Sequence, residues 1–552
     1  MGDLLISGGT VVDGTGAPAV PADVRIRDGL VAEVGASLSP DGERVVDASG
    51  ALVTPGLIDP HTHYDLEMFW DPSLDPLPSY GVTTAVMGNC GLGLAPVRGD
   101  VQGDVADLLC FIEELPVSLA EQCVPWGWQR WSEYHAVASR TPITVSLFAY
   151  TAHNALRGAV MGRDAWERAA TADERAAMAD LLDDALAHGS LGLSSNWFDT
   201  DRARELVPSR LADDAELDAL FDVLARHPHA TFQVIARDAV DRRRALELAV
   251  AKGIRCLSSG DGTGGAKFEE GLDVWFLGGG AQPFTPMLGF ESSIASAAVP
   301  AWHELINGPA GRKRTWLADP DWRGRARHDW DHPRDEQNSF RKESLHLLIL
   351  SDSETGAGPT GVSLADLARE RGGHPSDVLA DWVLANGIGS HYTKLAIRPD
   401  ITPEEQMRMA RAGFDNPYHV MGGTDAGAHL KMFCGAGSNL HILTNYVRDQ
   451  QLLSVEHAVH CMTARSAAFF SLHDRGSLEV GKRGDAAVFA LDEIELRDVE
   501  RVHDLPDGGW RFTRPPAGFR ATVVAGEPTV LDGMPTGARP ATIGHAVAAA
   551  RA

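Results

Sequence analysis

The sequence has few cysteines, little basic charge and no long hydrophobic run. Its six cysteines form no Cys-x-x-Cys pair, which argues against a disulfide framework or a structural zinc knuckle. The 49 Lys and Arg are outnumbered by 76 Asp and Glu, giving a formal charge of −27 that disfavours nucleic-acid or anionic-membrane partners. No apolar run approaches the roughly 18 residues of a membrane span, and no signal-peptide pattern is evident. We therefore expect a cytoplasmic protein.

The two ends of the sequence share a β-rich pattern. Residues 1–53 alternate short apolar and polar runs punctuated by Gly and Asp-Gly, and a similar pattern returns over 475–552. Because neither end is long enough for a good sheet alone, we expect one small β-sandwich domain assembled from both termini. The alternative is two separate edge additions to a larger domain.

The middle of the sequence, 54–474, alternates short apolar runs with amphipathic helical stretches. Such alternation predicts an α/β fold with a parallel sheet, most economically a (β/α)8 TIM-like barrel. A Trp-, Asp- and Arg-rich stretch at about 285–345 interrupts the pattern, and we interpret it as a long insertion over the barrel mouth. The candidate strands are LIDPHTH, VTTAVMGN, ITVSLFAY, SLGLSSN, ATFQVIA, GIRCLSS and HVMGGTD.

Two histidines end the first candidate barrel strand, as His61 and His63 of GLIDPHTH. Side chains two residues apart on a strand share a face, so both imidazoles can reach one ion such as zinc. The alternative for so short a motif is a hydrogen-bonded pair of histidines. Because barrel enzymes place their chemistry at the carboxyl ends of the strands, the position favours a metal site.

Several segments together carry a family resemblance. GLIDPHTH after a β-rich start resembles the amidohydrolase superfamily, and GVTTAVMGNCG is similar to its N-acyl-D-amino-acid deacylase (D-aminoacylase) branch. AYTAHNALRGAVMG, LGLSS and GGTDAGAH extend the resemblance along the chain. It implies a metal-dependent hydrolase acting on the amide C–N bond of a small N-acylated amino acid or related amide, with Zn²⁺ as cofactor. A homo-oligomer is left open.

The resemblance also implies roles for two residues. Cys90 of GNCG would be a metal-bridging thiolate, in place of the carboxylated lysine found elsewhere in the superfamily. Asp425 of GGTDAGAH would be a metal ligand and the catalytic base. A Cys beside a dication ionises readily, and a carboxylate facing an activated water can accept its proton. The alternatives are a small buried apolar residue for Cys90 and an Asx turn or helix cap for Asp425.

Two further metal histidines of the family are missing from this sequence. Phe232 and Gln233 stand near the expected place on the fifth strand, and Ser258 and Ser259 stand near it on the sixth. Gln233 and Asp261 are weak oxygen-ligand candidates, with strand and turn roles as alternatives. The four remaining ligand candidates therefore predict one well-occupied divalent metal per chain and a doubtful second site.

Substrate contacts are predicted for His153, Ser195 and Gln233, with a structural hydrogen-bonding role as the alternative for His153. One histidine near the last two strands is expected to line the pocket, and the sequence does not choose among His391, His419, His429 and His441. Two other functions remain open. One is an amidohydrolase acting on a cyclic amide or lactone, and the other is a non-catalytic barrel relative.

Overall fold

Eight parallel strands run through the middle of the chain and give it a mixed α/β fold. The computed structural model describes residues 3–236, 238–259, 273–278, 287–291, 293, 296, 298–334, 342–394 and 402–545. In chain order, the first to eighth parallel strands are Leu57–Asp59, Val82–Met87, Ser146–Ala149 with its continuation Thr151–Ala152, Gly192–Trp197, Thr231–Ala236, Arg255–Ser259, Val274–Gly278 and His419–Met421. The sequence patterns anticipate all of these strands except the seventh, whose five residues carry no clear alternation.

The order of the parallel strands in space follows their order in the chain. The first three pair in one ladder, and the continuation of the third pairs onward through the eighth. The backbone N–H of Leu191 donates to the carbonyl of Ala149 at 2.9 Å and connects the two ladders. Beyond the first and eighth strands, Thr62 bridges Ala426 in parallel. Residues that follow the first and eighth strands therefore lie side by side.

Helices connect most of these strands and begin at well-defined caps. The Thr171 hydroxyl accepts the Glu174 N–H in a capping box, and the Asp213 carboxylate accepts the Glu216 N–H. No described helix combines the length and the hydropathy needed to cross a bilayer. The helices between the parallel strands are Gln102–Ile112, Val117–Cys123, Trp131–Ala138, His153–Met161, Ala172–Ala187, Asp214–Leu224, Ala239–Ala251 and Pro403–Asp415.

Strands from the two ends of the chain share one sheet. Leu52–Pro55 pairs antiparallel with Ala486–Phe489, and a buried cluster combines Ile6, Val53 and Val488. The seven-stranded sheet has the order Met534–Pro535, Glu527–Leu531, Ala521–Val524, Ala486–Phe489, Leu52–Pro55, Thr10–Val11 and Val20–Pro21. A four-stranded sheet has the order Leu30–Gly35, Asp23–Arg27, Leu4–Ser7 and Arg44–Asp47. The two ends therefore depend on each other for hydrogen bonds and for core packing.

Three helical segments and a hairpin complete the C-terminal part. They are the π-helix Ile442–Asp449, the α-helices Val455–Met462 and Ala464–Phe469, and the antiparallel pair Glu500–Val502 and Arg511–Thr513.

A separate group of elements lies between the seventh and eighth strands. One hydrophobic cluster joins them from Leu288 to Tyr392, so the insertion expected at about 285–345 is longer than the sequence suggests. The helix Leu364–Arg371 has the same amphipathic pattern as the helices between the parallel strands, and this pattern cannot show where a helix packs. The elements are Met287–Gly289, Pro300–Asn307, Ala310–Ala318, Pro320–Asp331, Leu348–Asp352, Val362–Ser363, Leu364–Arg371, Pro375–Asn386 and His391–Lys394.

Removing residues 1–50 should leave an insoluble protein. The deletion takes away the four-stranded sheet and uncovers the edge of Leu52–Pro55 and the apolar side chains of Val488 and Val523. Unpaired strand edges and large apolar patches promote aggregation. The soluble fraction after expression, compared with that of the full chain, measures the effect. A soluble truncation that unfolds at the same temperature as the full chain would contradict the interdependence of the two ends.

Candidate metal centre

A cavity of about 330 Å³ opens at the carboxyl ends of the parallel strands. Its lining contains both titratable and apolar side chains. The titratable residues are His61, His63, Cys90, Glu113, Asp199, Asp425 and His429, and the apolar ones are Ile112, Phe198, Ile235 and Leu277.

Four of these side chains converge on one small volume. One potential ligand atom from each of His61, His63 and Cys90 lies within 4.8 Å of the others, and His61 Nε2 is 3.4 Å from Cys90 Sγ. Asp425 Oδ1 lies 3.2 Å from His63 Nε2 and 3.6 Å from His61 Nε2. Residues that follow the first, second and eighth strands thus bring two imidazoles, a thiol and a carboxylate together.

The backbone at the site is held by hydrogen bonds between strand ends. The buried Asp59 carboxylate accepts the N–H groups of His61 and Thr424, both at 3.2 Å. The Asp425 N–H donates to the His61 carbonyl at 2.9 Å. Burial raises the pKa of Asp59 to about 7, although the hydrogen bonds from Thr424 and His61 act to lower it. Asp59 therefore joins the first strand to the chain that follows the eighth.

Three non-glycine residues at the cavity adopt left-handed backbone conformations. They are Cys90, Asp425 and His429, with φ angles of 55°, 61° and 52°. Such angles are uncommon outside glycine and cluster at functional sites, where the surroundings impose them. At Cys90 the N–H donates to Gln233 Oε1 at 2.9 Å, so a neighbouring strand fixes this conformation.

The donor set fits a zinc-type ion. Imidazole nitrogen, thiolate sulfur and carboxylate oxygen are the zinc ligands of proteins. Within the described residues, His61 Nδ1 is buried and has no hydrogen-bond partner. Burial raises the pKa of the Cys90 thiol to about 12, so this sulfur needs a nearby cation to ionise.

Burial and neighbouring charges shift the pKa values of the other groups in different directions. Burial lowers the pKa of His61 to about 4, which leaves a neutral imidazole with a free lone pair. Burial opposes ionisation of Asp425, yet the hydrogen bond and charge of His63 hold the pKa of this carboxyl well below its usual range. Burial raises the pKa of Glu113 to about 7, although His63 and His429 oppose the shift.

The structure changes the expectation for the fifth and sixth strands. Ile235 lines the cavity, whereas Phe232 packs on the helix side with its ring centroid 4.8 Å from that of Phe221. Gln233 is buried and holds the backbone of Cys90. On the sixth strand, Ser258 shares a face with Cys256, which belongs to the helix-side cluster. Asp261 and the side chain of Ser259 lie outside the described residues.

The structure places His153 and Ser195, for which substrate contacts are predicted, away from the residues that line the cavity. Both are fully buried in a hydrogen-bond network outside the cavity lining. His153 Nδ1 is 2.9 Å from Ser195 Oγ, and its Nε2 is 2.9 Å from Glu216 Oε1. Arg157 also pairs with Glu216, and Trp197 donates to Ser195 Oγ. These residues form a polar network between the fourth strand and its neighbouring helices.

Sequence patterns miss Glu113 and leave His429 undecided among four histidines. Glu113 Oε1 is 3.3 Å from His63 Nδ1, and Glu113 Oε2 is 3.6 Å from His429 Nε2. Glu113 follows a helix, so it lacks the strand-end position that marks the other site residues. His429 closes the GGTDAGAH motif, a signal that could have favoured it. His391 instead lies in the inserted unit, 3.4 Å from Asp352.

The chain belongs to the amidohydrolase family. The model of this family matches residues 44–269 and 407–530. The elements of the inserted unit fall between the two matched segments.

Individual relatives confirm the resemblance to the D-aminoacylase branch. A D-aminoacylase of Alcaligenes xylosoxydans xylosoxydans is 28% identical, with 88% of each chain covered. An uncharacterized protein of Mycobacterium tuberculosis is 31% identical, with 91% of this chain and 86% of the relative covered.

Solved structures agree with the sequence relatives. A D-aminoacylase structure matches with a TM-score of 0.64 at 24% identity and covers 98% of this chain and 99% of its own. The structure of an N-acyl-D-glutamate deacylase from Bordetella bronchiseptica, complexed with zinc and a phosphonate inhibitor, matches with a TM-score of 0.63 at 25% identity. It covers 98% of this chain and 99% of its own.

Replacing Glu216 by Gln should destabilise the fold and leave zinc binding intact. The side chains of Glu216 and Arg157 are fully buried, and removing one charge of a buried pair costs about 3–5 kcal/mol. Urea unfolding measures the loss. The control is Glu247→Gln, whose exposed pair with Arg243 should contribute less than about 1 kcal/mol. An unchanged stability of Glu216→Gln, or a loss of its bound zinc, would contradict the purely structural role.

Proposed function

We propose that this chain is a metal-dependent hydrolase that cleaves the amide C–N bond of an N-acylated amino acid or a related amide. The proposal is carried by the convergence of His61, His63, Cys90 and Asp425 in one cavity at the carboxyl ends of parallel strands. Membership of the amidohydrolase family and the N-acyl-D-amino-acid deacylase relatives support an amide as the bond that is broken.

We further propose that the eight parallel strands close a TIM-like barrel within 54–474 and that 1–53 and 475–552 form one β-sandwich domain. The bridge from Thr62 to Ala426 supports closure, and the cluster shared by the two antiparallel sheets supports the sandwich. The inserted unit contacts the loops around the barrel mouth, since Glu291 pairs with Lys431 at 2.9 Å. Catalytic groups of such barrels lie at the carboxyl ends of the strands, where this cavity opens.

Zinc is the proposed ion because its ligand preferences match this donor set. His61, His63, Cys90 and Asp425 would hold it. When bound, such an ion polarises the substrate carbonyl and lowers the pKa of a water molecule toward neutrality.

Asp425 is placed to move the proton of the attacking water. Its side chain is 32% exposed, whereas that of His63 is 1% exposed, so the carboxylate faces the cavity. A carboxylate is ionised near neutral pH, and in that state it can accept the proton and return it to the leaving nitrogen. Phe198, Ile235 and Leu277 line the apolar part of the cavity, where an acyl chain would be shielded from water.

A substrate panel tests the proposed function. The panel contains N-acyl-D-amino acids, N-acyl-L-amino acids, cyclic amides and lactones, each assayed with and without a chelator. Hydrolysis of N-acyl-amino acids that stops with chelator and returns with zinc supports the proposal. Turnover confined to cyclic amides or lactones would favour a divergent amidohydrolase. A protein that binds zinc and turns over none of the panel would favour the non-catalytic alternative.

Replacing Asp425 by Asn should abolish turnover on the substrate found in the panel. The amide cannot accept a proton near neutral pH, and loss of a general base typically lowers the rate about 10²–10⁴-fold. The turnover number kcat measures the loss, and circular dichroism verifies the fold. Near-normal kcat in the folded variant would show that another group is the base.

We expect one zinc ion per chain rather than two. The four candidate ligands would be enough to hold a single ion, since catalytic zinc sites commonly use three protein ligands and keep one position open. On the opposite side of the cavity Ile235 offers no donor atom, and Ser258 faces the helices. Elemental analysis of protein loaded with excess zinc and then desalted should give a ratio near one. A reproducible ratio near two would contradict the single-ion site.

A further inference from the structure

A chain of alternating acidic and histidine side chains leads away from the candidate metal centre. From Asp425 Oδ1 to His63 Nε2 the distance is 3.2 Å, and from His63 Nδ1 to Glu113 Oε1 it is 3.3 Å. From Glu113 Oε2 to His429 Nε2 it is 3.6 Å, and from His429 Nδ1 to Glu114 Oε2 it is 3.8 Å. Both glutamate side chains are only 3% exposed, so water screens these contacts weakly.

We infer that Glu113 is a positioning residue that orients His63 for metal binding. This inference rests on the proposed function of the site. The two ring nitrogens of His63 face different partners, Nε2 facing Asp425 and Nδ1 facing Glu113. The 3.3 Å approach of Glu113 Oε1 to His63 Nδ1 does not have hydrogen-bond geometry, but a buried carboxylate this close favours, through its charge, the tautomer that carries the proton on Nδ1. The other ring nitrogen, Nε2, then keeps its lone pair for the metal.

Glu113 is itself held in place from two sides. Its backbone N–H donates to the Leu109 carbonyl at 3.0 Å, which continues the hydrogen bonds of the helix Gln102–Ile112. Its backbone carbonyl accepts the His429 N–H at 2.6 Å, and its second carboxylate oxygen faces the ring of the same histidine. A carboxylate fixed in this way can hold an imidazole in one orientation.

A direct ligand role for Glu113 is the competing explanation. In the described part of the chain, the group of His, Cys, Asp and Glu residues whose ligand atoms are mutually close enough for an ion contains His61, His63 and Cys90. Neither Glu113 nor Asp425 is in this group, but Asp425 Oδ1 lies within 3.6 Å of both His61 Nε2 and His63 Nε2. Glu113 instead approaches the other ring nitrogen of His63, Nδ1, at 3.3 Å. The geometry therefore favours orientation of the ligand over coordination of the ion.

The test compares zinc affinity in Glu113→Gln and in the unmodified chain. Gln keeps the size of the side chain and removes its charge. Each protein is stripped of metal and titrated with zinc against a competing chromophoric chelator. We expect the dissociation constant for zinc to rise about 10–100-fold in the variant, the range typical for loss of a partner of a metal-binding histidine, with an unchanged zinc ratio.

Two matched variants and one spectrum sharpen the comparison. Glu114→Gln removes a neighbouring, equally buried carboxylate that faces His429 and not His63, so its zinc affinity should fall less than about threefold. Glu113→Asp keeps the charge and withdraws it by one methylene, so it should also weaken zinc binding. This variant provides the test if Glu113→Gln does not fold. The visible spectrum of the cobalt-loaded protein should change in the Glu113 variants, because it reports ligand geometry directly.

The outcomes separate this inference from the proposed function. Unchanged zinc affinity and an unchanged cobalt spectrum in a folded Glu113 variant would overturn the positioning role alone. Loss of the bound zinc from a folded Glu113 variant, far beyond the expected 10–100-fold weakening, would also overturn it and mark Glu113 as a ligand. Absence of zinc binding by the unmodified chain would overturn both.

Discussion

The contact between the chain that follows the first parallel strand and the chain that follows the eighth is the constraint on which the candidate site depends. Asp59 and Thr424 are 365 residues apart in the sequence, yet the Asp59 carboxylate accepts the Thr424 N–H and hydroxyl. The same carboxylate accepts the N–H of His61, which places one ligand candidate beside the segment that carries Asp425. This contact, together with the bridge from Thr62 to Ala426, therefore helps to hold the two histidines beside Asp425.

The strained backbone around the cavity follows from the same constraint. Cys90 and Asp425 can keep left-handed conformations because the hydrogen bonds that their N–H groups donate to Gln233 Oε1 and the His61 carbonyl compensate for part of the cost. Their ligand atoms are therefore directed at one point before any ion arrives. Such preorganisation reduces the conformational entropy that metal binding would otherwise cost.

Much of the fold and part of the site could be predicted from the sequence, for identifiable physical reasons. His61 and His63 were recognisable because a strand places alternate residues on one face, and Cys90 and Asp425 because their motifs resemble a known family. The position of Ser195 on the helix side could not be predicted, because sequence does not show which face of the fourth strand points inward. Glu113 was missed because helix geometry and a contact with His429, over 300 residues away, bring it to the cavity. The full length of the insertion could not be predicted, because its helix Leu364–Arg371 has the same amphipathic pattern as the helices between the parallel strands.

The two sides of the cavity differ in the side chains they offer. The side that lacks the expected histidines is apolar, and the side of His63 carries Glu113 and His429, which the sequence did not single out. On the fifth strand, Ile235 and Gln233 stand near the position where the family has a metal histidine. The Gln233 Oε1 atom accepts the Cys90 N–H, and Ile235 contributes apolar surface to the cavity. On the other side, Glu113 and His429 form a buried polar layer behind His63. When an ion has few ligands, its affinity depends more strongly on how firmly those ligands are oriented. In the proposed role, the buried Glu113 carboxylate orients His63 without adding a donor atom to the ion.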